Sequence, residues 1–215
     1  METLSLLPCV PADAAEIFAG QRLSFGSPRE PFFDVLFPPT EGEEKGVQRT
    51  IDWWVEDESA KYMKVVDETG KIISAAKWCI YETALTREQM DEKITCDWHE
   101  NEDTNKWSSH IINWIHDHRL SKTKGARCCV LDILSTHPEH QRRGAGSLLV
   151  KWGTDIADAM GVPAYIEGSI YARRLYEQNG FVASSVDLIT IPVPEIWQKR
   201  DEIKFLWFER APKTE

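Results

Sequence analysis

Apolar and polar positions along the chain follow two periods, and each change of period marks an element. Residues 3–10 read as a short strand that stops at Pro11, and residues 12–18 take up helical spacing. Residues 26–40 carry Pro28, Pro31, Pro38 and Pro39 among Phe32, Phe33 and Phe37, which predicts an irregular, apolar-rich loop. Residues 43–57 place Val47, Ile51 and Trp54 or Val55 on one helical face. Residues 61–66 and 72–81 form a hairpin about Asp67-Glu68-Thr69-Gly70. Residues 82–107 break the pattern. Between Glu88 and Asp103, seven acids stand against one base, Lys93, as in a surface insertion. Helical spacing returns over residues 107–120.

The second half is more regular. Residues 128–135 are a short, strongly apolar run, hence a buried strand. Residues 144–161 carry Ala145, Leu148, Leu149, Trp152, Ile156, Ala159 and Met160 at close to the 3.6 period, and Gly161 and Pro163 end that helix. A strand at 164–167, a short helix at 171–178 followed by Gly180, and strands at 181–191 and 203–210 complete the chain. The order gives a mixed α/β domain with a parallel pair between 128–135 and 164–167.

The length of 215 residues suits one domain, 1–215. Lys plus Arg total 25 and Asp plus Glu 35, a net charge of −10 that repels phosphate backbones and anionic lipid. Nucleic-acid and membrane partners are therefore not expected. The start, Met1-Glu2-Thr3-Leu4-Ser5, lacks a signal-peptide pattern, and no run of apolar residues is long enough to span a membrane. Cys9, Cys79, Cys96, Cys128 and Cys129 form neither a disulfide framework nor a zinc spacing, so a reducing cytoplasm is expected, with the nucleus also open.

Residues 131–147 concentrate the chemistry. A buried strand runs into a turn with Arg142 and Arg143, then Gly144 and Gly146, and a helix opens directly after. The first turn of a helix presents free N–H groups and a partial positive charge, so it suits a phosphate. The same Gly-x-Gly also occurs as a tight turn without a ligand. A Walker loop is absent, and a dinucleotide fingerprint would need glycine where Leu149 stands, although Glu167 is placed as a ribose acid would be.

Gln141-Arg142-Arg143-Gly144-Ala145-Gly146 resembles the Gln/Arg-x-x-Gly-x-Gly/Ala signature of the Gcn5-related N-acetyltransferases (GNAT). Leu134-Ser135-Thr136-His137-Pro138 resembles the strand that precedes it, and residues 172–181 resemble that family's Ala-x-x-Leu-Tyr-x-x-x-Gly-Phe segment. The likeness is close over residues 128–182, in wording most like fungal members; the first 125 residues match only in element order. The resemblance implies an α/β fold with a mixed, mostly antiparallel central sheet, a splayed parallel pair and flanking helices, its cofactor half at about 126–182. It implies acetyl-CoA as donor. The diphosphate would be held at Gln141, Arg142, Arg143, Gly144, Ala145, Gly146 and Ser147, and the pantetheine arm would lie like an added strand along Leu134, Ser135 and Thr136. Ser169 stands where family members often carry Asn. The implied reaction is direct transfer, in a ternary complex, to a primary amine of a small molecule or peptide.

Tyr176 aligns with the family's general acid, the alternative being a packing role. The base is open. Alternation places Cys128, Val130, Asp132, Leu134 and Thr136 on one face. Some relatives carry a Glu near Val130, so that base is missing; Asp132 and Glu167 are the candidates, and a structural Asp132 is the other reading. A backbone N–H near Thr136 would stabilise the oxyanion. Cys128 and Cys129 have no local His to activate them, so a covalent acetyl-cysteine is not expected. His137 and His140 flank the turn, His116 and His118 lie on a helix, and none shows ligand spacing, so no metal is expected. The rivals are transfer to a hydroxyl, transfer of another acyl group, and a non-catalytic CoA-thioester sensor. Monomer and homodimer both fit.

Overall fold

The computed structural model describes residues 3–213, so Met1 and Glu2 of the N-terminal reading lie outside the described residues. The chain enters as β1 (Ser5–Pro8) and runs through α1 (Ala14–Gly26), α2 (Pro31–Leu36) and α3 (Glu43–Glu56) into the hairpin β2 (Ala60–Val66) and β3 (Ile72–Tyr81). The short α4 (Arg87–Asp91) and the long α5 (Glu102–Thr123) lead to β4 (Cys128–Thr136), α6 (Ala145–Met160), β5 (Ala164–Gly168) and α7 (Arg173–Gln178). β6 (Val182–Ala183), β7 (Ile189–Thr190) and β8 (Lys204–Arg210) close the order. One sheet runs β1-β2-β3-β4-β5-β8-β6, with β7 paired to β8. Among the described residues, only β4 and β5 pair in parallel.

Three sequence expectations need correction. The 26–40 loop contains α2, because Pro31 occupies the first helical turn, where its fixed φ fits and its missing N–H has no intrahelical use. The 107–120 helix begins at Glu102, inside the acidic stretch, because the Asn101 side chain accepts from the Thr104 N–H and caps it. Residues 181–191 do not form one strand. Only two two-residue pieces pair with β8, and between them Ser185 Oγ donates to the Asp187 carbonyl in a local turn.

The sheet is covered on both faces. α6 and α7 pack on one face over Ala76, Trp78, Leu131, Ile166, Leu206 and Phe208. The Trp78 indole N–H donates to the Leu149 carbonyl at 3.1 Å, and Gly153 passes so close that a Cβ there would meet the Trp78 ring at 2.1 Å. α5 covers Tyr165, Phe205 and Trp207 on the other face, and α1 packs near Ala60, Tyr62 and Ala75 on the same side.

The register places a β-bulge in β4. Lys77 lies opposite Ile133 and Trp78 opposite Leu131, so Asp132 is an extra residue. A bulge turns both of its residues to the side of the opposing residue and shifts the alternation by one. Cys128, Val130, Asp132 and Ile133 therefore share the face of Lys77, whereas Leu134 packs into the α6 core and Thr136 lies beside α6. The expected single face of 128, 130, 132, 134 and 136 holds only as far as Asp132.

Candidate active site

β4 and β5 pair only from Cys129 with Ala164 to Leu131 with Ile166. Beyond that point β4 runs on to Thr136 with β3 on one edge, while β5 follows β8. The strands part, and a cavity of about 1170 Å³ opens at the fork. Of the predicted residues, Asp132, Leu134, Glu167, Ser169 and Tyr176 line it. Ser135 does not: its side chain is buried on the α1 side, and its carbonyl accepts from Ser74 Oγ at 2.6 Å. Thr136 shares a hydrogen bond with the Ser74 hydroxyl at 2.8 Å.

The turn after β4 lies beside the strand's end, since a Cβ on Gly146 would stand 3.7 Å from Thr136 Oγ1 and 3.8 Å from Leu134 Cδ2. A single 3-10 turn, Pro138–His140, leads to Gln141. Arg142 then takes φ +64° and Gly144 φ +93°. The second value is one that glycine adopts without a Cβ penalty. The N–H groups of Arg142, Gly144, Ala145, Gly146 and Ser147 have no acceptor among the described residues. Five unpaired donors at the opening of a sixteen-residue helix, with Gly144 leaving open space at its Cβ position, make a cradle for an anion.

The charges at the fork form one connected row. Arg119 of α5 donates to both carboxylate oxygens of Glu167, at 3.1 and 2.9 Å, and to Asp132 Oδ1 at 3.1 Å. Lys77 pairs with Asp132 Oδ2 at 3.2 Å and with Asp57 Oδ2 at 3.2 Å. The two carboxylates stand on the first residues past the end of the parallel ladder, and one guanidinium bridges them. Burial opposes the charge on Asp132, but Lys77 and Arg119 outweigh it and hold the carboxyl well below the usual range. A carboxylate so held is a weak proton acceptor, and both oxygens of Glu167 are occupied as well.

Tyr176 is buried, with its ring edge-on to Phe208 at 5.1 Å. Gly168 allows this placement: a Cβ there would meet the ring at 2.5 Å. Burial pushes the phenol above its ordinary value, so it keeps its proton across the neutral range. All five cysteines are free and buried. Burial pushes Cys128 up to about 11 and Cys129 up to about 12, which leaves neither as a ready thiolate. His137, Glu139 and His140 bring ligand atoms within 4.8 Å of one another, but Glu139 N–H donates to His137 Nδ1 and Arg143 is hydrogen-bonded to His140 Nδ1.

Sequence reasoning missed Arg119, Lys77 and Asp57, which come from α5, β3 and the α3–β2 turn. A local signal existed for α5 alone. Ile112, Ile115, His116 and Arg119 all line the cavity, so two polar residues continue an otherwise apolar helical stripe. The acidic stretch is also more than a solvated face, because Glu82, Leu85, Glu92 and Trp98 form part of the cavity wall.

The fold is shared with solved acetyltransferases. Polyamine N-acetyltransferase of Drosophila melanogaster, which forms N-acetylagmatine, superposes with a TM-score of 0.66 at 14% identity, covering 97% of this chain and 100% of that one. Arylalkylamine N-acetyltransferase 2 of Aedes aegypti gives 0.65 at 14% identity, covering 98% and 100%. The Salmonella typhimurium acetyltransferase yncA, solved with its cofactor acetyl-CoA, gives 0.52 at 12% identity, covering 99% and 96%. No curated protein matches significantly in sequence. The profile of the acetyltransferase (GNAT) family matches residues 29–181, well over half of the chain. A forked sheet with an anion cradle at its mouth, and a family match across both, establish that this chain belongs to the GNAT acetyltransferases.

Proposed function

We propose that the chain is an acetyl-CoA-dependent N-acetyltransferase that passes the acetyl group directly to a primary amine of a small molecule. The observation that carries this reading is the set of unpaired N–H groups on Arg142 and Gly144–Ser147, placed beside the unpaired edge of β4. In this reading Gln141–Ser147 hold the diphosphate, and Leu134, Ser135 and Thr136 offer backbone to the pantetheine amides. Ser169 lines the cavity as a further donor. The donor supplies an activated acetyl thioester. Tyr176 protonates the departing sulfur, and a backbone N–H near Thr136 faces the developing oxyanion. Asp132 and Glu167 serve as fixed negative charge in place of the base roles considered above. A small acceptor is favoured by the cavity, whose lining acids outnumber its bases; the named amines of two structural neighbours point the same way.

We also place the chain beside fungal family members, on the wording of residues 128–182, and in a reducing cytoplasm, which suits its five free thiols. Among the described residues, no helix is long and apolar enough to cross a membrane. The test is calorimetry with CoA and acetyl-CoA, followed by thiol release against agmatine, spermidine, tyramine and glucosamine. Micromolar binding and release with at least one amine are expected; no binding to the folded protein ends the reading.

A further inference from the structure

The site described so far has an acid but no base. The carboxylates at the fork are taken: Asp132 by Lys77 and Arg119, and Glu167 by Arg119. Among the described residues lining the cavity, one buried side-chain nitrogen is unsatisfied. His116 Nε2 is buried and has no hydrogen-bond partner. A buried ring nitrogen without a partner is costly and calls for an explanation. His116 is the one imidazole lining the cavity among the described residues. It stands three residues before Arg119 on α5, about 4.5 Å back along the helix axis, so it lies one turn from the fork. The charged groups lining the same cavity are Arg119 on its own helix, Glu82 and Glu92 on the preceding segment, Asp132 on β4, Glu167 on β5, Lys204 on β8, Lys77 on β3, Lys61 on β2, Glu56, Asp57 and Glu58 at the α3–β2 turn, and Glu30 before α2.

Resting on the acetyl-transfer reading above, we propose that His116 is the general base, its Nε2 receiving the proton of the acceptor's ammonium group. A ring nitrogen with no partner suits that task better than an ion-paired carboxylate, because its lone pair is not already engaged by a cation. The proton balance closes. His116 takes one proton from the ammonium. The freed lone pair forms the C–N bond to the acetyl carbon, and the C–S bond breaks with its electron pair on sulfur. Tyr176 gives the sulfur a proton and regains one from the new amide nitrogen. His116 returns its proton to solvent. The excess of acids over bases along the cavity wall draws the cation in, and among the described residues lining that cavity His116 Nε2 is the one buried side-chain nitrogen without a partner.

The experiment compares wild type with His116→Ala and His116→Gln, using whichever panel amine turns over fastest. Both variants are expected to bind CoA calorimetrically within twofold of wild type. Their kcat/KM should fall about 100-fold. The acid limb of the pH profile should vanish, and added imidazole should restore part of the rate in the alanine variant. Independently of turnover, the His116 ring resonances of the ligand-free wild type should shift when that amine is added. A folded variant within threefold of wild-type kcat/KM with the limb intact overturns the proposal, as does an amine that leaves the ring resonances unmoved. If the alanine variant does not fold, the glutamine variant and the resonances decide. A wild type that binds no CoA, or acetylates no amine, removes the acetyl-transfer reading and this assignment with it.

Discussion

At single residues, one extra position in β4 decides which side chains meet. Without the bulge at Asp132, strict alternation would put Leu134 and Thr136 on the face of Lys77 and Arg119. With it, Leu134 and Thr136 turn toward α6 and its unpaired N–H groups, and Asp132 stays with the charges. Tyr176 is fixed just as tightly, between Phe208 and the bare backbone of Gly168. Its phenol holds its proton throughout the neutral range and can give it to sulfur. Tyr176→Phe is expected to lower kcat at least about 100-fold while KM for acetyl-CoA stays within twofold. Steady-state kinetics with calorimetric CoA binding check this; an unchanged kcat with weakened binding would reduce Tyr176 to a packing residue.

At the level of elements, α5 ties the two arms of the fork together. Its Arg119 joins a carboxylate on β4 to one on β5 where the parallel ladder stops, so two like charges that would repel are tied to one cation. The guanidinium is largely buried, with 19% of its side chain exposed. Removing one member of such a buried pair costs about 3–5 kcal/mol, since it strands the partner's charge. Arg119→Ala is therefore expected to lose about 3–5 kcal/mol in urea unfolding, and markedly less in a Glu167→Gln background. Equal losses in both backgrounds would show that the bridge couples nothing.

For the whole molecule, the net charge of −10 and the acid-rich cavity wall favour small cations over polyanions, while the anion cradle is made from backbone N–H groups at the head of α6. The last strand is anchored to the same helix. Arg210, 6% exposed, donates twice to Asp158 at 2.7 Å, and the Lys213 N–H donates to Asp158 Oδ1. The hydrogen bonds from Arg210 lower the Asp158 carboxyl from 3.8 to about 2. A depressed carboxyl stabilises the fold above its unfolded value and loses that contribution as pH falls through its folded one. Wild-type stability should therefore drop between pH 3.8 and about 2 by more than that of Asp158→Asn. Urea unfolding across pH 2–5 measures the difference, and parallel curves would refute the assignment.

Local periodicity was enough to determine most of the sheet order's raw material. The hairpin of 61–66 and 72–81, the strand at 128–135 and the helix ending at Gly161 all stand within a residue or two of their expected bounds. The glycine turn was legible from its local composition, whereas Tyr176 was singled out only by the resemblance of residues 172–181 to the family's segment. The bulge, the Arg119 bridge and the unpaired nitrogen of His116 were decided only by the tertiary structure. Each depends on residues far apart in the chain, such as Lys77, Arg119, Asp132 and Glu167, being brought to one point by sheet register and by the packing of α5. A side chain's role there is set by which charges surround it, and no local pattern records that.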